Sequence, residues 1–201
     1  PTVLMYTAGT TGLPKGVPQN HNSYAFYVLQ NVNPPDPGIE ETNLLTMPLY
    51  HVAGMQAMLA AIYGGRTIAL MRQFETKEWF ETAQREKVTR AMLVPTMLKR
   101  IIDDPDFSKY DLSNLRVITY GAAACPFEVL KKALELFPGR AFINAFGTTE
   151  TASTITALSP EDYIFTGRET EEERERKLKR LSSSIGKPLE DVEIQVRDEE
   201  G

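Results

Sequence analysis

The residues best suited to chemistry stand near the start of the chain. Tyr6-Thr7-Ala8-Gly9-Thr10-Thr11-Gly12-Leu13-Pro14-Lys15-Gly16 follows directly on an apolar run, Val3–Tyr6. Its glycines let the backbone turn tightly and present N–H groups to an anion. Thr7, Thr10 and Thr11 add hydroxyls and Lys15 a mobile positive charge, a set that suits a polyphosphate. It is not a Walker A loop, because Gly-Lys-Ser/Thr at the required offset is missing. Read alone, the same composition also makes an ordinary turn. His51, between Tyr50 and Val52, reads either as a packed loop histidine or as a group that handles a substrate. Glu150 offers an oxygen ligand for a hard cation, or a plain surface carboxylate. His21 reads as structural. Cys125 precedes Pro126 at a predicted helix start, but no partner base lies near it in sequence, so it reads as packed. Ser182–Ser184 read as a flexible hinge, and Trp79 as the anchor of a helix face.

Short apolar, β-branched runs that alternate with helix-like stretches would position these groups. Val3–Tyr6, Leu44–Met47, Thr67–Met71, Ala91–Val94, Val117–Tyr120, Ala141–Phe146 and Val192–Val196 read as strands, several of them apolar on both sides. Ser23–Gln30, Met55–Tyr63, Thr76–Glu86, Thr96–Ile102 and Pro126–Phe137 read as helices. Pro126 suits a first turn, and Pro138-Gly139 closes that helix. This alternation predicts an α/β fold with a mainly parallel sheet and flanking helices. Asn31–Glu41, with Asn-Pro-Pro-Asp-Pro-Gly, is a loop. Residues 167–181 are almost wholly charged, with glutamates leading and bases following. Glu172–Arg176, Glu173–Lys177 and Glu175–Lys179 are spaced for i,i+4 pairs on a solvated helix.

Composition narrows the classes. The 201 residues carry a formal charge of −5, one cysteine and two histidines, with 42% hydrophobic residues. That is an ordinary globular make-up, able to bury a sizeable core. One cysteine excludes a disulfide framework and any multi-thiolate metal site. The mild negative charge argues against nucleic acid bound through a basic face. No apolar run approaches the ~18 residues that span a bilayer, and no stretch of the sequence reads as a signal peptide, so a cytoplasmic location is expected.

The wording of the loop is specific. Tyr6–Gly16 resembles the phosphate-binding loop of the adenylate-forming (AMP-binding) superfamily, which includes acyl-CoA synthetases, adenylation domains and luciferases. That family usually has Ser where this chain has Ala8. Four further segments resemble the family in the right order. Pro48–Gly54 resembles the segment whose His lies beside the acyl pocket. Thr119–Ala124 resembles the strand end along the adenine and acyl group. Asn144-Ala145-Phe146-Gly147-Thr148-Thr149-Glu150 resembles the aromatic-Gly-x-Thr-Glu loop. Ser184–Pro188 with Val192–Ile194 resembles the start of the next subdomain. The chain is identified as a member of this superfamily, in its acyl-CoA synthetase branch.

The resemblance implies a role for each position. Thr7, Gly9, Thr10, Thr11, Gly12 and Lys15 would clamp the β- and γ-phosphates of ATP. Phe146, where the family more often has Tyr, would stack on the adenine. Gly121, Ala122, Ala123, Asn144, Ala145 and Gly147 would surround the base. Thr149 would bond the α-phosphate, Glu150 would hold Mg²⁺ with Thr10 beside it, and His51 would stand at the throat of the acid pocket. Lys15, His51, Thr149 and Glu150 form the implied catalytic set. Amino-acid-activating relatives typically carry Asp at the His51 position, so His51 favours an acid without an α-amine.

The implied reaction joins a carboxylic acid, fatty or aryl, to AMP and then to coenzyme A. Acyl transfer to a carrier-protein arm and a non-catalytic nucleotide-binding module are the alternatives. The candidate pocket segments Tyr50–Met55 and Thr119–Ala124 are apolar and small, with no fixed cation for a second carboxylate. Residues 1–181 are expected to be the central part of the large N-terminal AMP-binding domain, and 182–201 the start of the next subdomain. An opening subdomain and a C-terminal lysine-bearing domain would lie outside the chain. The 201 residues alone are therefore expected to be inactive without the rest of the parent.

Overall fold

The computed structural model describes residues 2–8, 12–190 and 192–198. Its main feature is a seven-stranded sheet built from β3 (Thr42–Leu45), β4 (Thr67–Leu70), β5 (Arg90–Leu93), β6 (Val117–Gly121), β7 (Ala141–Gly147), β8 (Thr154–Leu158) and β9 (Lys187–Pro188). The spatial order is β4-β3-β5-β6-β7-β8-β9. The first five strands are parallel, and β8 and β9 are antiparallel additions at one edge. A hairpin of β1 (Val3–Thr7) and β2 (Lys15–Gln19) forms a second, two-stranded sheet.

Side chains alternate across the main sheet. Leu44, Ala91, Leu93, Ile118, Tyr120 and Phe142 are buried on one face. There they meet Trp79 and Phe80 of α3 (Thr76–Arg85), Leu98 and Ile101 of α4 (Pro95–Ile102), Leu130 of α5 (Phe127–Leu136) and Leu181 of α6 (Glu171–Ser183). Each helix buries positions three or four apart and leaves its charged side to water. The neighbouring positions Asn43, Met92, Thr119, Ile143 and Ala145 face α1 (His21–Asn31) and α2 (Val52–Tyr63), with a cavity between.

The strand–helix alternation follows the sequence pattern, with differences. β2, β8 and β9 are strands where none was expected. Val192–Val196 is not a strand: Pro188 ends the ladder with β8, and a Val192 N–H to Leu189 carbonyl bond (2.9 Å) turns the chain away. Ser182 and Ser183 are not a hinge but the last turn of α6, their hydroxyls bonded back to the Lys179 carbonyl at 2.9 and 3.0 Å. The helices α1 and α2 start earlier than predicted, because Asn20 and His51 cap them. Among the described residues no helix is long and apolar enough to cross a membrane.

Candidate active site

The β1–β2 hairpin carries the Gly/Thr loop at its tip and sets Thr7 opposite Lys15. Thr7 is half-buried; Gly12 and Lys15 are exposed. Gly9, Thr10 and Thr11 lie outside the described residues. Lys15 thus stands on the return strand, its backbone in register with Thr7 on the strand that enters the loop.

Seven residues expected at the nucleobase meet in one cavity of about 260 Å³: Gly121, Ala122, Ala123, Asn144, Ala145, Phe146 and Gly147. They come from the carboxyl ends of the adjacent strands β6 and β7, where open α/β sheets bind ligands. The strands approach so closely that a Cβ on Gly121 would lie 2.1 Å from the Ala145 carbonyl oxygen, and one on Gly147 2.2 Å from that of Ser153. Ala122, at φ +63°, turns the backbone out of β6. A register shift between Phe146 and Gly147 disrupts the β7–β8 ladder at the cavity rim. An aromatic ring beside bare backbone suits a flat heterocycle with a hydrogen-bonding edge.

The cavity also has a wall that the sequence did not disclose. Ser182–Ile185, at the end of α6, line it. Asn144, expected at the base edge, spends part of its amide here: Nδ2 donates to the Ser184 carbonyl at 3.2 Å. Asn144 therefore pins the α6 terminus to β7. Contact between β7 and a segment 40 residues away leaves no local sequence signal.

Thr149 and Glu150 lie outside that cavity, in the turn between β7 and β8. The turn is held by its own backbone and by Thr151. The Ala152 N–H reaches the Thr149 carbonyl at 3.2 Å, and the Thr148 N–H donates to Thr151 Oγ1 at 3.0 Å. Two glutamines pin it from outside. Gln19 Nε2 donates to the Thr149 carbonyl at 2.6 Å. Gln56 Nε2 donates to Thr154 Oγ1 at 2.9 Å, and its Oε1 accepts from the Thr154 N–H at 3.1 Å. Neither glutamine stands out in the sequence. Glu150 is exposed. Among the described residues no three His, Cys, Asp or Glu side chains gather as a metal cage. A single carboxylate fits Mg²⁺, which shares its ligands with water and substrate phosphates.

His51 caps α2: its Nδ1 accepts from the Ala53 N–H at 3.2 Å, so that nitrogen is unprotonated in this arrangement. Farther along α2, Gln56, Ala57 and Ala60 line the larger cavity, of about 360 Å³. Thr119 and Ala145 form its floor, and Ala145 borders both cavities. His51 itself is not in this wall. The segments Tyr50–Met55 and Thr119–Ala124 hold no cation themselves, but Arg66, just before β4, and Arg90, the first residue of β5, also line this cavity. Both are tied to Glu41 at 2.8 Å. Burial alone would raise the Glu41 carboxyl, but Arg90 and Arg66 outweigh it and hold it below its ordinary range.

Cys125, in the wall of the smaller cavity, and the buried Tyr120 and Tyr163 hold their protons. Burial pushes the Cys125 thiol up to about 11. Burial likewise raises Tyr120 and Tyr163, whose hydroxyls meet at 2.7 Å. The reading of Cys125 as a packed residue holds: a thiol so placed stays protonated at neutral pH and is no nucleophile.

A hairpin bearing Thr7 and Lys15, a cavity at the ends of β6 and β7, and an adjoining cavity beneath α2 make up the candidate site. Comparison with known proteins gives the family. The AMP-binding enzyme family model matches residues 1–201, and the chain belongs to that family. It is 34% identical over 152 residues to 4-coumarate-CoA ligase 1 of Narcissus pseudonarcissus, covering 73% of this chain and 28% of the relative. It is 31% identical over 200 residues to 2-succinylbenzoate–CoA ligase of Bacillus pumilus, covering 97% and 36%. Among solved structures, o-succinylbenzoate coenzyme A synthetase of Bacillus subtilis, in complex with ATP and magnesium ion, superimposes with a TM-score of 0.74. That match has 29% identity and covers 98% of this chain and 37% of the other. The amide bond synthetase McbA of Marinactinospora thermotolerans matches with a TM-score of 0.77 and 27% identity, over 98% and 36%. The chain therefore spans about a third of the length of these relatives.

Proposed function

We propose that this chain forms the ATP- and acid-binding centre of a ligase that activates a carboxylic acid as its acyl-adenylate and passes the acyl group to coenzyme A. The observation that carries the reading is the pair of cavities that share Ala145, one beside Phe146 and one beneath α2. Two reactants bound there stand next to each other, as a displacement between them requires. The carboxylate oxygen bonds to the α-phosphorus as the bond to pyrophosphate breaks. The thiol sulfur of coenzyme A then bonds to the acyl carbon and AMP leaves.

In this reading Phe146 stacks on adenine, and Gly121–Ala123, Asn144, Ala145 and Gly147 frame it. Thr7, Gly9, Thr10, Thr11, Gly12 and Lys15 hold the β- and γ-phosphates, and Thr149 orients the α-phosphate. Mg²⁺ held by Glu150, with Thr10 beside it, would neutralise charge on the departing pyrophosphate. His51 orients the acid at the pocket entrance, and an aliphatic or aryl acid occupies the larger cavity. The chain supplies the central part of the nucleotide-binding domain (1–181) and the start of the next subdomain (182–201). By itself it is expected to form no acyl-CoA. Turnover by the isolated 201 residues would count against that division.

The test is acid-dependent exchange of pyrophosphate into ATP by the full-length protein, over a panel of short, long, aromatic and amino acids. Glu150→Ala is expected to lower exchange about a hundredfold or more. Unchanged exchange would remove Glu150 from the site, and a preference for amino acids would overturn the reading of His51.

A further inference from the structure

The two halves of the proposed site stand on separate sheets, and one buried amide joins them. Thr7 and Lys15 belong to the hairpin, which shares no ladder with the main sheet. Thr149 and Glu150 belong to the turn after β7. Gln19 ends β2, four residues from Lys15 along the same strand, and is 3% exposed. Its Nε2 donates to the Thr149 carbonyl at 2.6 Å, across 130 positions of sequence. Its Oε1 accepts from the hydroxyl of Tyr24, which is itself buried on α1. The two contacts fix the amide: with Tyr24 on the oxygen, the NH₂ group must face Thr149.

We propose that Gln19 is a positioning residue for adenylation. It sets the spacing between the phosphate hairpin and the Thr149–Glu150 turn, so that a polyphosphate held by the hairpin presents its α-phosphorus to the turn. The proposal rests on the roles given above to Lys15, Thr149 and Glu150. A shift of ~1 Å between the hairpin and the turn would cost about a hundredfold in rate, because the reacting atoms must start near contact.

The experiment compares acid-dependent pyrophosphate exchange and melting temperature for full-length wild type, Gln19→Met and Tyr24→Phe. Methionine keeps the reach and volume of glutamine and removes both hydrogen bonds. Phenylalanine removes only the bond to Tyr24 and leaves the donor to Thr149 in place. Both variants lose buried hydrogen bonding, so both melt earlier. Gln19→Met is expected to lower kcat about tenfold to a hundredfold with KM for the acid within about twofold. Tyr24→Phe is expected to lower kcat by less than about threefold. Should the Met variant not fold, Gln19→Glu carries the same expectation, since its carboxylate accepts from Tyr24 but cannot donate to Thr149. A Gln19 variant with kcat within about twofold of wild type, or equal kcat losses in Gln19 and Tyr24 variants, overturns the positioning role and leaves adenylation standing. Wild-type protein that shows no acid-dependent exchange overturns the adenylation reading itself.

Discussion

Cys125 lines the cavity beside Phe146, yet its surroundings make it chemically quiet. Burial disfavours the thiolate, and the nearest polar contact of Sγ is a carbonyl oxygen, that of Pro126 at 3.8 Å, which accepts from a thiol and repels a thiolate. The folded thiol titrates at about 11 against an ordinary value of 9.0. Between those values the unfolded chain has released a proton that the folded chain still holds. Cys125 therefore contributes stability that is fully present below pH 9.0 and is lost as pH rises toward about 11. Tyr120 and Tyr163, raised by burial, act in the same direction at higher pH. Denaturant midpoints are expected to fall as pH rises above about 9, and Cys125→Ala should flatten that fall by up to about 1.4 kcal/mol per pH unit. At pH 8 native protein should react with iodoacetamide far more slowly than unfolded protein; equal rates would contradict the burial argument. The quiet cysteine was legible in the sequence, since no base stands near it. The Asn144 bond to Ser184 was not, because it depends on where α6 ends in space.

At the scale of elements, α6 shows what charge order does and does not reveal. The sequence announces a solvated helix with acids first and bases last, and the helix is there. Of the three spaced pairs, Glu175–Lys179 forms at 2.6 Å. Glu173 instead completes a capping box, its carboxylate accepting from the Thr170 N–H at 2.9 Å while Thr170 Oγ1 accepts from the Glu173 N–H at 3.3 Å. Lys177 lies over the Phe165 ring, 4.6 Å from its centre. A cap meets several otherwise unpaired N–H groups, so it outcompetes an exposed ion pair of a few tenths of a kcal/mol. Thr170→Ala is expected to cost about 1 kcal/mol, read as a lower urea midpoint with unchanged slope. Strands show a similar boundary of legibility. β5, β6 and β7 announce themselves because both faces are covered. β2 hides behind Gly16 and Pro18, which disfavour strands, and it forms because the loop before it folds back on β1. Val192–Val196 has the strand pattern but pairs with no strand among the described residues, and pattern without a partner makes no ladder.

Across the whole molecule the two edges of the parallel sheet do different work. The carboxyl ends of β6 and β7 stay open around the smaller cavity. The amino ends are cross-tied by charge. Glu41, just before β3, holds Arg66, just before β4, and Arg90, the first residue of β5. Next along the edge, the Arg116 guanidinium reaches the Glu40 carbonyl at 3.0 Å. One carboxylate thus fixes the relative height of three strands, and with them the wall of the larger cavity. Removing it would strand two guanidinium groups, only 11% and 29% exposed, without a counter-charge. Glu41→Ala is expected to cost about 2 kcal/mol, less than for a fully buried pair because water reaches the cluster. The pH dependence supplies a sharper check. Glu41 is held below its ordinary 4.5 by Arg90 and Arg66 against the opposing effect of burial. Below pH 4.5 the unfolded chain takes up a proton at this residue before the folded chain does. Its contribution is therefore present above that pH and lost as pH falls through the lowered value. Glu41→Gln keeps the shape but cannot titrate, so its acid limb should be shallower than that of the wild type. Superimposable acid limbs would mean that the three strand ends are held by the sheet ladder alone.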